Sequence, residues 1–356
     1  MDLKEIVSPL LKWYEENKRE LPWRETTNPY NIWISEIMLQ QTRVEAVKDY
    51  YKRFIERIPS ITDLAYVDEE VLLKLWEGLG YYNRARNLKK AAKIIYFEYD
   101  CVFPKSYEQI IELPGIGNYT AGAIASIAYQ EKKAAVDGNV LRVVSRLLNS
   151  KDNIDDLKTK KMITEELEKI IPDESGKFNQ SLMELGAMIC IPNGSPHCYD
   201  CPLQKYCLSL KNHTQKEIPV RKAKKKRRIV EKTYLVFRYR NEICLKKRDE
   251  NGLLAGMYEF IAREGKYSKE EMIDFLDKKS IFYEYLVDMG DCKFKFTHIE
   301  WHMRAYIIEL NLPIQRNREW VHISELDKYV FPTAIEFYLE QVKKGYRTAT
   351  KKLYTK

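Results

Sequence analysis

The spacing of apolar residues changes once along the chain, near residue 212, and this change limits the possible folds. From residue 1 to about 210, apolar residues recur at intervals of three and four between Gly and Pro, as in a series of helices. Later runs such as KTYLVFRY and KFKFTHIEWHMRAYIIEL are rich in β-branched and aromatic residues, which favours strands. The pattern predicts a mostly α-helical domain, residues 1–211, followed by a smaller α+β domain, residues 232–356.

A basic segment, residues 212–231, separates the two patterns and is predicted to be a linker. Seven of the eight residues in RKAKKKRR, 221–228, are Lys or Arg, and the net charge of the chain is +8. Such a run is commonly solvated, and nucleic acid is the alternative partner. Apolar runs are too short to span a membrane and the N-terminus lacks an apolar signal segment, so we expect no membrane association and a cytoplasmic location.

Four of the seven cysteines fall within 18 residues: Cys190, Cys198, Cys201 and Cys207. Without a secretion signal, a disulfide framework is not expected. Four thiolates at one centre can bind zinc or a [4Fe-4S] cluster, and their spacing does not choose between the two. A chance clustering of cysteines in a reducing compartment is the alternative.

Two acidic residues lie in contrasting sequence contexts. Glu36, in WISEIMLQQT, shares a helix face with apolar residues, so burial is expected to raise its pKa and make it a general acid. The alternative is a Glu at the edge of the core, paired with Arg24 or Arg43. Asp137, in AAVDGNVLRVV, precedes an amphipathic run, so it is expected to cap a helix whose amides and dipole lower its pKa and keep it ionised, although an ordinary cap is the commoner case. A proton donor and a carboxylate together are what cleavage of a glycosidic bond requires, provided that they meet in space.

Helix-terminal signals follow in two other places. Thr42 and Glu45 predict a capping box, so that a helix would begin at Thr42 and Gln40–Gln41 would join two helices. SYEQIIELPGIGNYTAGAIASIAYQ predicts a helix-turn-helix at about residues 105–130, in which Gly115 and Gly117 let the backbone approach a phosphate.

A further Gly turn, in GLGYYNRARNLKK, places Tyr81 and Tyr82 before a basic helix. Aromatic rings at such a turn can stack on bases, although tyrosines are more often packing residues.

The order of these motifs, together with LPWR and FNQSLMELGAMIC, resembles the adenine DNA glycosylase (MutY) family of helix-hairpin-helix glycosylases over essentially the whole chain. The resemblance implies one [4Fe-4S] cluster in the loop 190–207. It also implies an enzyme that binds double-stranded DNA and removes adenine mispaired with 8-oxoguanine or guanine by hydrolysis. Two tethered domains that wrap DNA fit a monomer. For a bacterial protein, it implies association with the nucleoid. Cys190 and Cys198 are one residue further apart than in many relatives, and Asn-Gly can absorb that residue in a turn.

The resemblance also assigns roles to individual residues. Glu36 would protonate the extruded adenine, Asp137 would stabilise the sugar cation or trap it covalently, and Asn139 would orient the site. Tyr119 stands where endonuclease III-type lyases have Lys; a tyrosine cannot form an imine, which predicts a monofunctional glycosylase. The remaining matches are adenine-pocket positions, Arg24, Leu39 and Gln180, and positions around the 8-oxoguanine, Gln41 and Tyr81.

The C-terminal domain resembles the Nudix-like recognition domain of the same family. Phe296, Thr297 and His298 match its lesion-reading motif, with Thr297 where Ser is common; a hydroxyl is retained. Without the resemblance, His298 would be read as a strand residue at a domain edge. The acidic signature of Nudix hydrolases is absent from the sequence, so nucleotide hydrolysis is not expected.

Two other functions stay open at this level. One is base excision of another target, such as thymine opposite guanine, because a few pocket side chains decide the selectivity. The other is a non-catalytic DNA-binding iron-sulfur protein, which would apply if Glu36 and Asp137 were only structural.

Overall fold

The chain forms two compact units in the computed structural model, which describes residues 2–223, 226–314 and 318–345. One unit comprises Met1–Leu75 and Tyr82–Ala223, and the other comprises Trp76–Tyr81 and Lys224–Lys356. Two residues of the predicted basic run, 224 and 225, lie outside the described residues, as do 315–317 and 346–356 of the predicted C-terminal domain. In the described part of the chain, no helix has the length and apolar character needed to cross a membrane.

The regular secondary structure in the described residues of the first unit is helical, apart from an isolated bridge between Asn153 and Val220. Its α-helices are α1 Val7–Asn17, α2 Pro29–Leu39, α3 Val44–Arg57, α4 Ile61–Tyr66, α5 Glu69–Leu75, α6 Asn83–Glu98, α7 Tyr107–Ile110, α8 Asn118–Tyr129, α9 Gly138–Leu148, α10 Leu157–Glu168, α11 Ser175–Met188 and α12 Leu208–Lys211. Short 3-10 helices lie at Leu3–Ile6, Pro22–Arg24, Cys198–Asp200 and Gln204–Tyr206.

Helix α2 is a central element of this unit because nearly every side it presents is buried. Asn28 caps its N-terminus by accepting from the amide of Tyr30, and Pro29 occupies the first turn, where its missing N–H costs nothing. Trp33 and Met38 are fully buried on it. α2 packs against α8, whose small residues allow a close approach.

The joint after α2 confirms one expectation and corrects another. Gln40 and Gln41 do connect two helices, and Gln41 has a left-handed backbone with φ +60°. The capping box at Thr42 is wrong, because α3 begins at Val44 with Arg43 at the N-cap and no side-chain cap. The Thr42 hydroxyl instead donates to the carbonyl of Gln40 at 3.4 Å.

The second unit contains a mixed β-sheet. Its strands are β1 Arg228–Tyr239, β2 Glu242–Lys247, β3 Tyr258–Glu259, β4 Ile261–Glu264, β5 Tyr283–Lys295, β6 Ile299–Leu310 and β7 Glu319–His322. The strand order is β3-β2-β1-β6-β5, in which β1 and β6 run parallel, while β4 pairs with β1 and β7 pairs with β2.

A helix covers each face of this sheet. Alternate residues of β1 point to opposite sides: Tyr234 and Val236 join the core that includes α14, Glu336–Lys343, whereas Leu235 joins the core under α13, Lys269–Lys278. The predicted fold class, a mostly α N-terminal domain followed by a smaller α+β domain, is therefore confirmed.

Candidate active site

An open pocket of about 650 Å³ lies within the first unit, between α2, the N-termini of α8 and α9, and α11. This volume is in the range of ligand-binding pockets, about 300–1,000 Å³. Both acidic residues singled out in the sequence, Glu36 and Asp137, line it. Its other lining residues include Arg19, Arg24, Leu39, Gln40, Gln41, Gly117, Tyr119, Asn139, Gln180, Met183 and Glu184.

Glu36 lies on the inward face of α2 and is 6% exposed. Burial raises the pKa of Glu36 to about 7; the nearby charge of Asp137 adds to the rise, while a hydrogen bond from Tyr119 and the charge of Arg24 oppose it. A substantial fraction of the carboxyl group is therefore protonated near neutral pH and able to donate a proton. Arg24, the proposed structural partner of Glu36, instead donates to Glu184 at 2.7 Å.

Tyr119, near the start of α8, donates its hydroxyl hydrogen to Glu36 Oε2 at 2.5 Å. Burial, together with the negative charges of Glu36 and Asp137, raises the pKa of the Tyr119 hydroxyl well above its ordinary value. The hydroxyl therefore stays protonated and fixes one oxygen of Glu36.

Asp137 is the N-cap of α9, as the sequence predicts. Its Oδ1 accepts from the backbone amides of Asn139 and Val140, each at 2.8 Å, and its Oδ2 accepts from Asn139 Nδ2 at 2.7 Å. The expected lowering of its pKa is wrong in direction, because burial raises the pKa of Asp137 more than these bonds lower it. Even so, Asp137 accepts three hydrogen bonds and Glu36 accepts one from the described residues, so the carboxylate form is better supported at Asp137.

Asn139 connects Asp137 to a buried arginine that sequence reasoning missed. Arg142 donates through Nη2 to Asn139 Oδ1 at 2.9 Å and to the carbonyl of Gly186 at 2.8 Å, and through Nε to the carbonyl of Cys190 at 2.7 Å. The backbones of α9 and α11 are as close here as glycine permits, since a Cβ on Gly186 would lie 2.6 Å from Asn139 Cβ. An arginine on the buried face of the amphipathic run after Asp137 was the available signal.

Glu184 on α11 is a second residue that the sequence analysis missed. Its side chain is 1% exposed and accepts hydrogen bonds from Arg19 and Arg24. Burial alone would raise the pKa of Glu184, but these bonds lower it to about 2. The lining of the pocket thus carries a fixed ion pair in addition to Glu36. An acid within the otherwise apolar stretch SLMELGAM was the signal.

The other predicted adenine-pocket residues meet in the same place. Arg24, Leu39 and Gln180 line the pocket, and Gln180 Oε1 accepts from the hydroxyl of Tyr14 at 3.2 Å. Gln41 lies at its border, at the joint after α2.

The two glycines of the helix-turn-helix differ in whether their backbone conformation and surroundings require glycine. Gly115 has φ +82°, and a Cβ there would lie 2.7 Å from Asn87 Cβ, so both the backbone and the space demand glycine. Gly117 is the N-cap of α8 with φ −106°, and in the described part of the chain no heavy atom beyond its two sequence neighbours lies within 4 Å of the Cβ that a side chain there would add. The space in front of the first amides of α8 is therefore open at Gly117.

The remaining predicted contact residues belong to the second unit. The hydroxyls of Tyr81 and Thr297 are 2.6 Å apart, and Tyr81 is 48% exposed with φ +49°. Phe296 packs edge-on against Phe294 and Trp301, with ring centroids 4.8 Å apart in both cases, so it anchors the turn between β5 and β6. Thr297 and His298 are exposed at that turn.

The four clustered cysteines line one small cavity with Arg146 and Gln215. Arg146 Nη1 donates to Cys190 Sγ at 3.2 Å. A guanidinium beside four sulfurs suits a group held by anionic thiolates. In residues 2–223, 226–314 and 318–345, no three or more His, Cys, Asp or Glu side chains form a group that could hold a metal ion. The cofactor thus stays a prediction.

Two family models match the chain. Residues 34–173 match the HhH-GPD superfamily base excision DNA repair protein model, and residues 233–341 match the NUDIX domain model. The first match covers the helix-turn-helix and both pocket carboxylates.

Solved structures similar to this chain include a thermostable thymine-DNA glycosylase, with 31% identity and a TM-score of 0.54 over 59% of this chain and 96% of that chain. A trapped covalent intermediate of endonuclease III with DNA is 27% identical, with a TM-score of 0.51 over 60% and 97% of the two chains.

Two similar curated proteins carry the same name. The adenine DNA glycosylase of Buchnera aphidicola subsp. Baizongia pistaciae is 35% identical over 94% of this chain and 96% of its own length. The adenine DNA glycosylase of Arabidopsis thaliana is 38% identical over 73% of this chain and 47% of its own length. The chain therefore belongs to the adenine DNA glycosylase family, and it is a DNA-binding glycosylase that acts on adenine in base excision repair.

Proposed function

We propose that the protein is a monofunctional, monomeric glycosylase that hydrolyses the bond between adenine and its sugar where adenine is opposite 8-oxoguanine or guanine. The observation that carries this proposal is the meeting of Glu36 and Asp137 in one pocket with different hydrogen-bond environments. Membership of the adenine DNA glycosylase family identifies adenine as the base that is removed, whereas the mispair and the mechanism are our proposal.

In this mechanism the adenine leaves the duplex and enters the pocket. Extrusion costs a few kcal/mol, which insertion of Gln41 in place of the base would offset in part. Glu36 then gives its proton to the seven-position nitrogen of adenine, which makes the base a better leaving group. A pKa of about 7 suits this task, because near neutral pH a substantial fraction of Glu36 is protonated and the group is still acidic enough to donate its proton.

Asp137 faces the opposite demand, since positive charge develops on the sugar as the base leaves. A carboxylate held by two backbone amides and by Asn139 is preorganised to stabilise that charge. Water then adds to the sugar cation at the carbon that held the base and loses one proton, which restores the protonated form of Glu36, and the products are free adenine and an abasic site.

Tyr119 supports hydrolysis without strand cleavage. Its hydroxyl is engaged with Glu36 and remains protonated, so it supplies neither an amine nor a phenolate nucleophile. Borohydride trapping of a protein-DNA adduct through an amine would contradict this assignment.

The turn carrying Thr297 and His298, with Tyr81 beside it, is proposed to contact the 8-oxoguanine. Two exposed hydroxyls within hydrogen-bond distance of each other can exchange that contact for bonds to the lesion. Because the oxidised guanine carries polar groups that guanine lacks, hydroxyl contacts to those groups can distinguish the two bases.

The first amides of α8, at Gly117, are proposed to contact the DNA backbone.

The loop 190–207 is proposed to hold a [4Fe-4S] cluster through its four cysteines. When bound, the cluster would supply structural support to the loop, because hydrolysis needs no electron transfer. Iron at about four atoms per chain would support this assignment, and stoichiometric zinc would contradict it.

Incubation of the protein with three duplexes tests the proposed function. These duplexes carry adenine opposite 8-oxoguanine, adenine opposite guanine, and thymine opposite guanine. We expect alkali-dependent breaks only in the two adenine duplexes. Breaks at thymine would favour the alternative suggested by the 31% identity to a thymine-DNA glycosylase.

Matched variants separate chemistry from binding. Glu36→Gln should abolish cleavage and retain duplex affinity, because it keeps the shape of the side chain and removes the proton. Glu45→Gln, at an exposed glutamate on α3 that pairs with Lys48, should cleave at the wild-type rate. Equal losses in both variants, or cleavage by Glu36→Gln, would contradict the mechanism.

A further inference from the structure

Arg84, on α6, donates hydrogen bonds to backbone carbonyls at the C-terminal end of α2. Arg84 Nη1 donates to the carbonyls of Ile37 at 2.6 Å, Met38 at 3.1 Å and Gln40 at 2.8 Å. All three contacts are partly buried. The sequence alone groups Arg84 with the other basic residues of α6, whereas the structure directs this nitrogen to the backbone at the end of α2.

These contacts have a clear physical role. The last carbonyls of a helix have no partner within the helix, and a positive charge is favourable at that end of the helix dipole. Arg84 satisfies carbonyls on both sides of the last residue of α2, Leu39. It therefore ties the helix to the residue that follows.

Gln41, which follows the residue bound by Arg84, has a strained backbone. Gln41 has φ +60°, a conformation that side-chain-bearing residues adopt at a cost and keep only when their surroundings enforce it. The backbone is fixed on one side by Arg84 at Gln40 and on the other by the amide of Thr42, which donates to the carbonyl of Leu39 at 3.3 Å. The Gln40 side chain adds a bond to Thr120 Oγ1 at 3.3 Å.

We propose that Arg84 is a positioning residue that holds the joint of Gln40 and Gln41 in the conformation from which Gln41 enters DNA. This inference rests on the proposed function, since it assumes that Gln41 inserts when adenine is extruded. Arg84 acts through the backbone of the joint and contacts no reacting atom.

A double-mutant cycle tests the inference. Arg84→Met removes the donors and keeps most of the apolar stem, and Gln41→Ala removes the inserting side chain. We expect Arg84→Met to slow single-turnover cleavage of adenine opposite 8-oxoguanine about tenfold, or ~1.4 kcal/mol. In the Gln41→Ala background the same change should cost less than about twofold, because its effect passes through Gln41.

Two further variants serve as controls for this experiment. Arg84→Lys keeps the charge and three donors at a shorter reach, so we expect partial rescue. Lys93→Met removes an exposed charge from the same helix and should leave cleavage near the wild-type rate. An equal loss from Arg84→Met in both Gln41 backgrounds, or no loss at all, would overturn the proposal.

Hydrogen exchange in the free protein separates this proposal from the proposed function. The amides of residues 37–43 should exchange faster in Arg84→Met than in wild type or Lys93→Met, with no general loss of protection elsewhere. If the wild-type protein cleaved no adenine duplex, the proposed function would fail, while unchanged exchange at the joint would by itself refute the role of Arg84.

Discussion

At the residue scale, the two carboxyl groups of the pocket differ in how their charged forms are supported. Glu36 has a pKa of about 7 because it is buried and accepts one hydrogen bond, from Tyr119, among the described residues. Asp137 is also buried, but it accepts three. This difference allows two acids in one cavity to hold different protonation states.

Tyr119→Phe provides a test of this balance through the pH dependence of cleavage. The Tyr119 hydrogen bond stabilises the carboxylate of Glu36 and therefore lowers its pKa. Without the hydroxyl, the pKa of Glu36 should rise above about 7, and the protonated form should persist to higher pH.

The measurement is the single-turnover rate from about pH 5 to pH 9. In wild type the rate should decline as the pH rises through about 7, the pKa of Glu36. In Tyr119→Phe this decline should move to higher pH. A decline displaced to lower pH would show that Tyr119 acts in another way.

Sequence reasoning at this scale succeeded where the cause was local. The apolar neighbours of Glu36 within α2 were enough to predict its burial. The partners of Glu184, by contrast, lie 160 and 165 positions away in the chain, and no local pattern could reveal them. The direction of the Asp137 shift was wrong for a similar reason, because the cap is local and the burial comes from tertiary packing.

At the element scale, helices were predicted more reliably than the places where they begin. Thr42 and Glu45 had the spacing of a capping box, yet α3 begins at Val44. The competing bond from the Thr42 hydroxyl to Gln40 explains this outcome, because threonine can bond to a neighbouring carbonyl as readily as to a helix amide. A joint that is held by Arg84 from another helix also lies beyond the reach of local signals.

The two glycines of the helix-turn-helix should respond differently to alanine. Gly115→Ala should lower the free energy of unfolding by ~1–3 kcal/mol, because φ is +82° and the new methyl group would meet Asn87. Gly117→Ala should leave stability almost unchanged, because its φ is −106° and the space is open.

Denaturant unfolding and DNA binding together check this pair. Gly117→Ala should weaken duplex binding despite its normal stability, since its methyl group would occupy the approach to the first amides of α8. Normal binding by Gly117→Ala would remove the phosphate role from this turn.

At the scale of the whole molecule, the pattern of apolar residues predicted two architectures that the structure confirms. The repeat of the first part was read correctly because it reflects the period of an α-helix, and the runs of the second because β-branched and aromatic residues favour strands. The parallel pairing of β1 and β6, which are about 70 residues apart in the chain, has no such local signal.

Recognition of the lesion is expected to depend on the second unit, and Thr297 provides the test. Thr297→Ala should reduce the preference for adenine opposite 8-oxoguanine over adenine opposite guanine by about three- to tenfold, the value of one hydrogen bond. Thr297→Ser keeps the hydroxyl and should retain the preference.

The readout is the ratio of single-turnover rates on the two duplexes, so that a general loss of activity cancels. An unchanged ratio in Thr297→Ala would place lesion recognition elsewhere. The cleavage rate on adenine opposite guanine serves as the internal reference for the first unit.

The close approach of α9 and α11 at Gly186 limits how this cavity can be remodelled. A methyl group at Gly186 has no room between the two backbones, so α11 cannot take a larger residue there without displacing Asn139. A change of the accepted base is better sought at a lining residue away from this contact, such as Leu39 on α2, which can be exchanged for a smaller or a polar side chain. Engineering of a new base specificity would begin at Leu39 and leave Gly186 unchanged.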